Sequence, residues 1–171
     1  MGILLYTIDM KQGESSKRHE EFMREAIRLA TENVAKGGGP FGAVIVKDDQ
    51  IIATGVNRVT AAHDPTAHAE VSAIRAAAQV LKNFDLSGCT IYTSCEPCPM
   101  CLGAIYWARI DKIYYGNTKA DAQAIDFDDS FIYDELAKPM HLRELQQIQL
   151  MAEEAIKSFD IWASKEDKTP Y

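Results

Sequence analysis

Three of the four cysteines in this chain lie in one eight-residue segment, SCEPCPMC. Cys95, Cys98 and Cys101 are spaced three residues apart, so that two of them can share one turn of a helix. Such a group could bind a metal, form disulfides, carry a redox couple or pack in the core. The fourth cysteine, Cys89, lies in an apolar segment that predicts burial.

The readings other than a zinc site are weaker. The chain begins without a basic leader and cleavage site, so we expect a cytoplasmic location in which thiols stay reduced. An iron–sulfur cluster needs a fourth thiolate, for which Cys89 is the only candidate. A thioredoxin-like pair usually belongs to a different topology. Packing alone accounts for an isolated cysteine better than for three close together.

A zinc site is the favoured interpretation of this segment. Zinc takes thiolate and imidazole ligands in a tetrahedron, and a catalytic zinc keeps one position open. Two cysteines then need a further ligand from elsewhere. His68 is the strongest candidate, because the segments HAE and PCPMC each open a predicted helix after a strand, and such openings can converge at one sheet edge. His19, His63 and His141 are predicted to be ordinary surface or capping residues.

The elements that must position these residues follow from the apolar periodicity. Helices are predicted at residues 17–36, 63–84, 99–110 and 151–165. Strands are predicted at residues 41–48, 51–57, 89–94 and 111–116, of which the first two form a hairpin. Residues 141–150 fit either a strand or a helix. Residues 1–16 are predicted as a loosely ordered arm, and residues 17–171 as one α/β domain: a three-layer α/β/α sandwich with a central mixed sheet of about five strands.

Charge and hydropathy restrict the partners. The 171 residues include 18 Lys and Arg and 25 Asp and Glu, which gives a net charge of −7. The basic residues are scattered, whereas a nucleic-acid-binding protein usually shows a basic stripe. No apolar run approaches the roughly 18 residues of a membrane span. A small neutral substrate is therefore expected, with no nucleic acid and no membrane as partner.

The spacing of HAE and PCPMC, about 30 residues apart, matches the signature of zinc-dependent deaminases. The chain is most similar to the bacterial guanine deaminases of the cytidine-deaminase superfamily. The segments that carry this resemblance are GGPFGAVIVKD, DPTAHAEVSAIRAA, YTSCEPCPMCLGAIYWARI, FDDSFIY and the terminal Tyr. One departure is Asp126, which stands where the family usually has Gly before FDD.

The resemblance implies a metal set. His68, Cys98 and Cys101 would bind Zn²⁺, Glu70 would be the general acid/base, and Cys95 would lie near the metal without binding it. On a regular helix, residues i and i+2 face apart by about 200°. His68 and Glu70 can therefore share a site only if the first turn is irregular or the long Glu70 side chain bends back.

The resemblance also implies residues that contact the substrate. These are Phe41, Asn57, Ala69, Trp107 and Tyr171, with Asp129 as a second catalytic carboxylate. Asn57 would hydrogen-bond the purine, Phe41 and Trp107 would line its pocket, and Tyr171 would close over it. In such relatives the C-terminal segment is exchanged between subunits, so a homodimer with a swapped C-terminal segment is expected.

The implied function is hydrolysis of guanine to xanthine and ammonia, a step of purine catabolism. Zinc would ionise a water that attacks the ring carbon, and Glu70 would move the protons. The alternatives are a deaminase of guanosine or of another aminated heterocycle such as ammeline, a tRNA adenosine deaminase, and a non-catalytic zinc-stabilised binding module. Structural zinc is normally closed by four ligands, which argues against the last of these.

Overall fold

The computed structural model describes residues 2–171, and the side chains of residues 16–171. Four strands form one mixed sheet in the order β2-β1-β3-β4. The strands are β1 Gly42–Lys47, β2 Gln50–Val56, β3 Cys89–Cys95 and β4 Lys112–Asn117. β1 is antiparallel to both β2 and β3, and β3 is parallel to β4. The mixed sheet that the sequence predicts is confirmed, with four strands in the described residues rather than about five.

The helices flank this sheet and follow it. They are α1 Gly2–Ala35, α2 Val59–Ala62, α3 Ala69–Leu81, α4 Pro99–Trp107, α5 Lys119–Gln123, α6 Ser130–Ala137 and α7 Ala152–Ser164, with a 3-10 turn at Met140–Leu142. The chain divides into two compact units, Met1–Asp129 and Ser130–Tyr171. The first unit contains the whole sheet and the predicted metal ligands. Within the described residues, no helix is long and apolar enough to cross a membrane.

Both faces of the sheet are covered, which is what the sandwich requires. Alternate residues of a strand point to opposite faces. On β1, Ala43 and Ile45 pack in the cluster that includes Ala73 of α3. Val44 and Val46 pack on the other face with Phe22 and Ala26 of α1. The interior strand β1 is therefore apolar from Gly42 to Val46, and α1 and α3 lie on opposite faces of the sheet.

Two glycines of the hairpin allow the helices to approach the sheet closely. A Cβ at Gly42 would overlap with the carbonyl oxygen of Ala26 and lie 2.6 Å from the Ala30 nitrogen, on α1. A Cβ at Gly55 would overlap with the carbonyl oxygen of Ala69 and lie 2.5 Å from the Ala73 nitrogen, on α3. The contact at Gly55 fixes the first turn of α3, where the predicted site begins.

Three boundaries differ from the sequence prediction. The helix α1 begins at Gly2, so its backbone includes the segment predicted as a loose arm. That segment contains no proline, and a single internal glycine such as Gly13 costs a helix only about 1 kcal/mol. The helix α3 begins at Ala69 rather than near residue 63. The ambiguous segment 141–150 forms neither a long helix nor a strand, apart from the 3-10 turn at Met140–Leu142.

Candidate metal centre

Two of the predicted metal ligands are the residues that precede helices. His68 is the N-cap of α3 and Cys98 is the N-cap of α4, and both have extended backbones with ψ near 161° and 168°. Their carbonyl oxygens accept the first helical hydrogen bonds, from Ser72 at 2.9 Å and Leu102 at 2.8 Å. Neither side chain caps its own helix. Both side chains are therefore available for another partner.

The three predicted ligand atoms converge. His68 Nδ1 lies 3.6 Å from Cys98 Sγ and 3.5 Å from Cys101 Sγ, and all three atoms lie within 4.8 Å of one another. A zinc ion with bonds of about 2.0 Å to nitrogen and 2.3 Å to sulfur in a tetrahedron sets these atoms about 3.6 Å apart. The residues therefore fit zinc both in donor type and in spacing.

The local electrostatics favour a thiolate at this site. A hydrogen bond from Cys101, followed by one from His68, lowers the pKa of Cys98 to about 4, although burial opposes this. The pKa of Cys101 is raised, because its thiol is hydrogen-bonded to Cys98 and is buried beside Glu70. The hydrogen bond with Cys98 raises the pKa of His68. One sulfur is thus ready to ionise, and a divalent cation would provide the charge that the second one needs.

Glu70 lies beside the ligands in a buried position and is only 6% exposed. Its Oε2 lies 3.4 Å from Cys101 Sγ, and its Oε1 accepts a hydrogen bond from Thr93 Oγ1 at 3.2 Å. Burial raises its pKa, as general acid/base catalysis at neutral pH requires. The i, i+2 problem disappears, because His68 precedes the helix with an extended backbone and only Glu70 is helical.

The remaining cysteines have other environments. Cys95 ends β3, and its thiol contacts the Thr118 carbonyl oxygen at 3.6 Å. Burial raises the pKa of Cys95 to about 11, so it is a neutral thiol outside the group of three that could bind a metal. Cys89 is fully buried in β3, as its apolar neighbours predict. All four cysteines, which lie within the described residues, are free.

Two predicted substrate contacts share one end of the hairpin. The Asn57 N–H donates to the Phe41 carbonyl oxygen at 3.1 Å, so these residues flank the ends of β2 and β1. The Oδ1 of Asn57 accepts a long hydrogen bond of 3.4 Å from Val59. The ring of Phe41 is half-buried and meets Phe127 edge-on at 5.0 Å.

Two other predicted substrate contacts, Ala69 and Trp107, do not present an exposed side chain beside the metal ligands. Ala69 is fully buried where α3 meets β2, so it offers no free surface to a substrate in this structure. Trp107 ends α4 and is 69% exposed. At 1.5 Å per residue, it lies roughly 13 Å along the helix from Cys98.

The last two predicted site residues, Asp129 and Tyr171, differ in burial and lie in different units. Asp129 is half-buried in the first unit, and its pKa is raised by burial and then by the charge of Cys98. Tyr171 lies in the second unit and is 73% exposed. Its predicted role as a lid stays a prediction.

Sequence reasoning missed two buried polar residues. Asn33, which is 6% exposed near the end of α1, donates from Nδ2 to the carbonyl oxygens of Gly39 and Asn57, both at 2.8 Å. It thus joins the segments that carry the predicted substrate contacts. Thr93, which is 1% exposed, binds Glu70. The only signal in the sequence was a polar residue within an apolar helix face or strand.

The chain matches a known protein family over the segments that carry these residues. Residues 16–117 match the family model described as the cytidine and deoxycytidylate deaminase zinc-binding region. The match includes all three residues of the converging set.

The curated relatives divide by coverage. Guanine deaminase of Bacillus subtilis (strain 168) is 53% identical over 154 residues, which is 90% of this chain and 99% of that protein. A tRNA-specific adenosine deaminase of Buchnera aphidicola is 46% identical over 95 residues, which is 56% of this chain and 59% of that protein. The similarity to the second relative thus extends over a much smaller part of the chain.

Two solved guanine deaminase structures match the chain to different extents. The crystal structure of guanine deaminase from Bacillus subtilis matches with a TM-score of 0.87 at 52% identity, over 90% of this chain and 98% of that chain. A guanine deaminase structure from Nitrosomonas europaea matches with a TM-score of 0.61 at 36% identity, over 63% of each chain.

Proposed function

The chain belongs to the cytidine and deoxycytidylate deaminase family, and we propose that it is a zinc-dependent aminohydrolase that converts guanine to xanthine and ammonia. The observation that carries the proposal is the convergence of His68, Cys98 and Cys101 at zinc-like spacing, with the buried carboxyl of Glu70 beside them. Three protein ligands leave one tetrahedral position for a reacting molecule. Three protein ligands are therefore typical of a catalytic zinc site, whereas a structural zinc site usually has four.

Guanine is favoured as the substrate because of the extent of the match. The 154 residues aligned with the Bacillus subtilis guanine deaminase must include more than half of the unit Ser130–Tyr171. The tRNA-specific relative aligns over only 95 residues. The net charge of −7 also disfavours a tRNA substrate.

The mechanism uses groups whose positions are known. His68, Cys98 and Cys101 would hold the metal. When bound, zinc supplies Lewis-acid chemistry that lowers the pKa of a water to about 7. Glu70 accepts one proton from the attacking water and delivers it to the ring nitrogen beside the amino-bearing carbon. It then moves the second proton to the amine, so that the C–N bond breaks and the new C–O bond becomes a carbonyl.

The predicted substrate contacts act around this centre. The Asn57 amide donates to acceptors on the purine, and the half-buried ring of Phe41 supplies one apolar wall of the pocket. Asp129 orients the amino group, which suits the effect of the Cys98 charge on its pKa. Trp107 supplies another wall of the pocket, and its exposure within one chain suits a pocket that includes a neighbouring subunit.

We also propose a homodimer in which the C-terminal segment is exchanged and Tyr171 closes the partner's pocket. The support is the uncovered apolar surface of α7: Ile156 is 50%, Phe159 71% and Trp162 43% exposed. None of the described residues of α7 is buried. Light scattering of the purified protein tests this, with about twice the chain mass of 19.0 kDa expected. A monomer at micromolar concentration would contradict it.

A cytoplasmic location suits this chemistry, because zinc needs both thiolates reduced, and all four cysteines are free.

The experiment that tests the function is an ammonia assay on the zinc-loaded protein with guanine, guanosine, adenine, cytosine and ammeline. Guanine should release ammonia far faster than the others do, and xanthine should accumulate in equal amount. Faster release from guanosine or ammeline would transfer the assignment to that substrate. Ammonia from adenosine in a tRNA anticodon stem-loop, without ammonia from guanine, would favour the tRNA deaminases. Zinc binding without release from any of them would indicate a binding module.

A further inference from the structure

A buried threonine in the middle of the sheet contacts the proposed acid/base. Thr93 is 1% exposed on β3, where it pairs with Ala43 of β1 and with Tyr115 of β4. It therefore lies in a strand that has hydrogen-bonded neighbours on both sides. Threonine has few rotamers because its Cβ is branched. The position of its hydroxyl is therefore fixed by an interior strand and by a restricted side chain.

The hydroxyl distinguishes the two oxygens of Glu70. Thr93 Oγ1 donates to Oε1 at 3.2 Å, while Oε2 lies 3.4 Å from the sulfur of Cys101, one of the proposed metal ligands. One oxygen is thus directed to the sheet and the other to the metal centre. A free glutamate side chain has three rotatable bonds and would sample other orientations.

We infer that Thr93 is a positioning residue for the deamination: its hydroxyl holds Oε1 of Glu70, so that Oε2 faces the reacting water and the purine. This inference rests on the proposed function, since it assigns a task to Thr93 only if Glu70 moves protons. Proton transfer requires heavy atoms within hydrogen-bond reach, so a rotated carboxyl slows the chemical step without weakening substrate binding.

Removing the hydroxyl of Thr93 would take away a hydrogen-bond donor from the buried Oε1 of Glu70. Within the described residues, no buried side-chain nitrogen or oxygen is without a partner. Replacing Thr93 by Val keeps the shape and removes the donor, so that Oε1 would have to find another partner or rotate. A hydrogen bond to a charged group is worth enough to change a rate by roughly 10- to 100-fold. Serine keeps the donor and should restore most of that loss.

The test compares Thr93→Val, Thr93→Ser and Thr90→Val with the wild-type protein, all loaded with zinc. Thr90 is on the same strand but points to the opposite face, as does Tyr92, which packs with α1. We expect Thr93→Val to lower kcat for guanine roughly 10- to 100-fold while KM and zinc content stay within about twofold. Thr93→Ser should recover to within about threefold of wild type, and Thr90→Val should not change kcat.

The other outcomes overturn the inference. A normal kcat for Thr93→Val would show that the hydroxyl is dispensable. A loss shared equally by Val and Ser, or one that follows zinc content, would show a packing role. If Thr93→Val does not fold, the Ser variant decides: a kcat reduced beyond about tenfold would contradict positioning by the hydroxyl.

The proposed function fails separately, if wild-type protein releases no ammonia from guanine. The same variants are then compared on whichever heterocycle of the panel is deaminated, since Glu70 would act on each by the same proton transfers. If none is deaminated, both proposals are wrong.

Discussion

The two units of this chain are built differently. In Met1–Asp129 the strand β1 is buried along most of its length, and α3 has five buried residues. In Ser130–Tyr171 the one buried residue among those described is Glu135, and α7 exposes its apolar side chains. A unit of this size cannot bury much of its own surface. The first unit therefore contains the buried core and the candidate metal ligands, whereas the second leaves most of its apolar side chains exposed within the chain.

The largest expected effect separates the chemistry from the fold within the first unit. Glu70→Gln keeps the shape of the side chain and removes its capacity to accept a proton. Turnover of guanine should fall by about 10²- to 10⁴-fold while zinc content is retained. Steady-state kinetics with elemental analysis checks this. The matched control is Glu135→Gln, a buried glutamate of the second unit, which should change kcat little. Retained activity in Glu70→Gln would reject the role of Glu70.

The second expected effect tests whether Tyr171, in the second unit, contributes to turnover. Deleting Tyr171 should reduce guanine turnover about tenfold or more, since each 1.4 kcal/mol of lost contact is a factor of ten. Zinc content should not change, because its proposed ligands lie in the first unit. Truncated protein with normal kinetics would contradict the lid.

Mixing chains tells whether the lid acts across a dimer. Chains with Glu70→Gln are expected to be nearly inactive, and chains without Tyr171 are expected to turn over guanine about tenfold more slowly than wild type or worse. In a mixed dimer, one pocket would combine an intact Glu70 with the partner's Tyr171. Activity recovered after co-expression supports exchange between subunits, and its absence in verified mixed dimers contradicts exchange.

Much of the first unit could be predicted from the sequence, because local signals and tertiary structure agree there. The hairpin, β3, α4 and the converging ligands follow from apolar alternation and from two helix openings. The start of α3 could not be predicted, because Asp64 and Thr66 look like a helix cap but bond to each other in a turn before the helix. Asn33 and Thr93 were missed because their partners are distant in sequence. In the second unit, the helix α7 follows from its apolar periodicity, but none of its described residues is buried.

A smaller effect is expected from substitution of Gly42 and Gly55, the two glycines of the hairpin that contact helices. Gly55→Ala and Gly42→Ala introduce the same Cβ clash on opposite faces of the sheet. Each should lower the free energy of unfolding by about 1–3 kcal/mol. Only Gly55→Ala should also weaken zinc binding, because it displaces Ala69 between His68 and Glu70. Thermal unfolding and zinc competition with a chelator measure the two effects. Equal zinc affinity in both variants would show that α3 adjusts freely.

The smallest effect lies near the boundary between the units. Asp126 has φ of 69°, a left-handed backbone conformation that favours glycine. Asp126→Gly should raise the free energy of unfolding by less than about 1 kcal/mol, since relief of left-handed strain is partly offset by the entropy of the unfolded chain. Denaturant titration checks this. Asp128→Gly, at an ordinary φ, should instead be destabilising. Equal effects would show that the strain is not significant.

The most direct test of the central claim is X-ray absorption at the zinc edge on protein that has been shown to be active. We expect one zinc per chain, with two sulfur neighbours at about 2.3 Å, one imidazole nitrogen at about 2.0 Å and one light-atom neighbour. Active protein without zinc, or with zinc in a shell that lacks two sulfurs, would contradict the assignment of His68, Cys98 and Cys101.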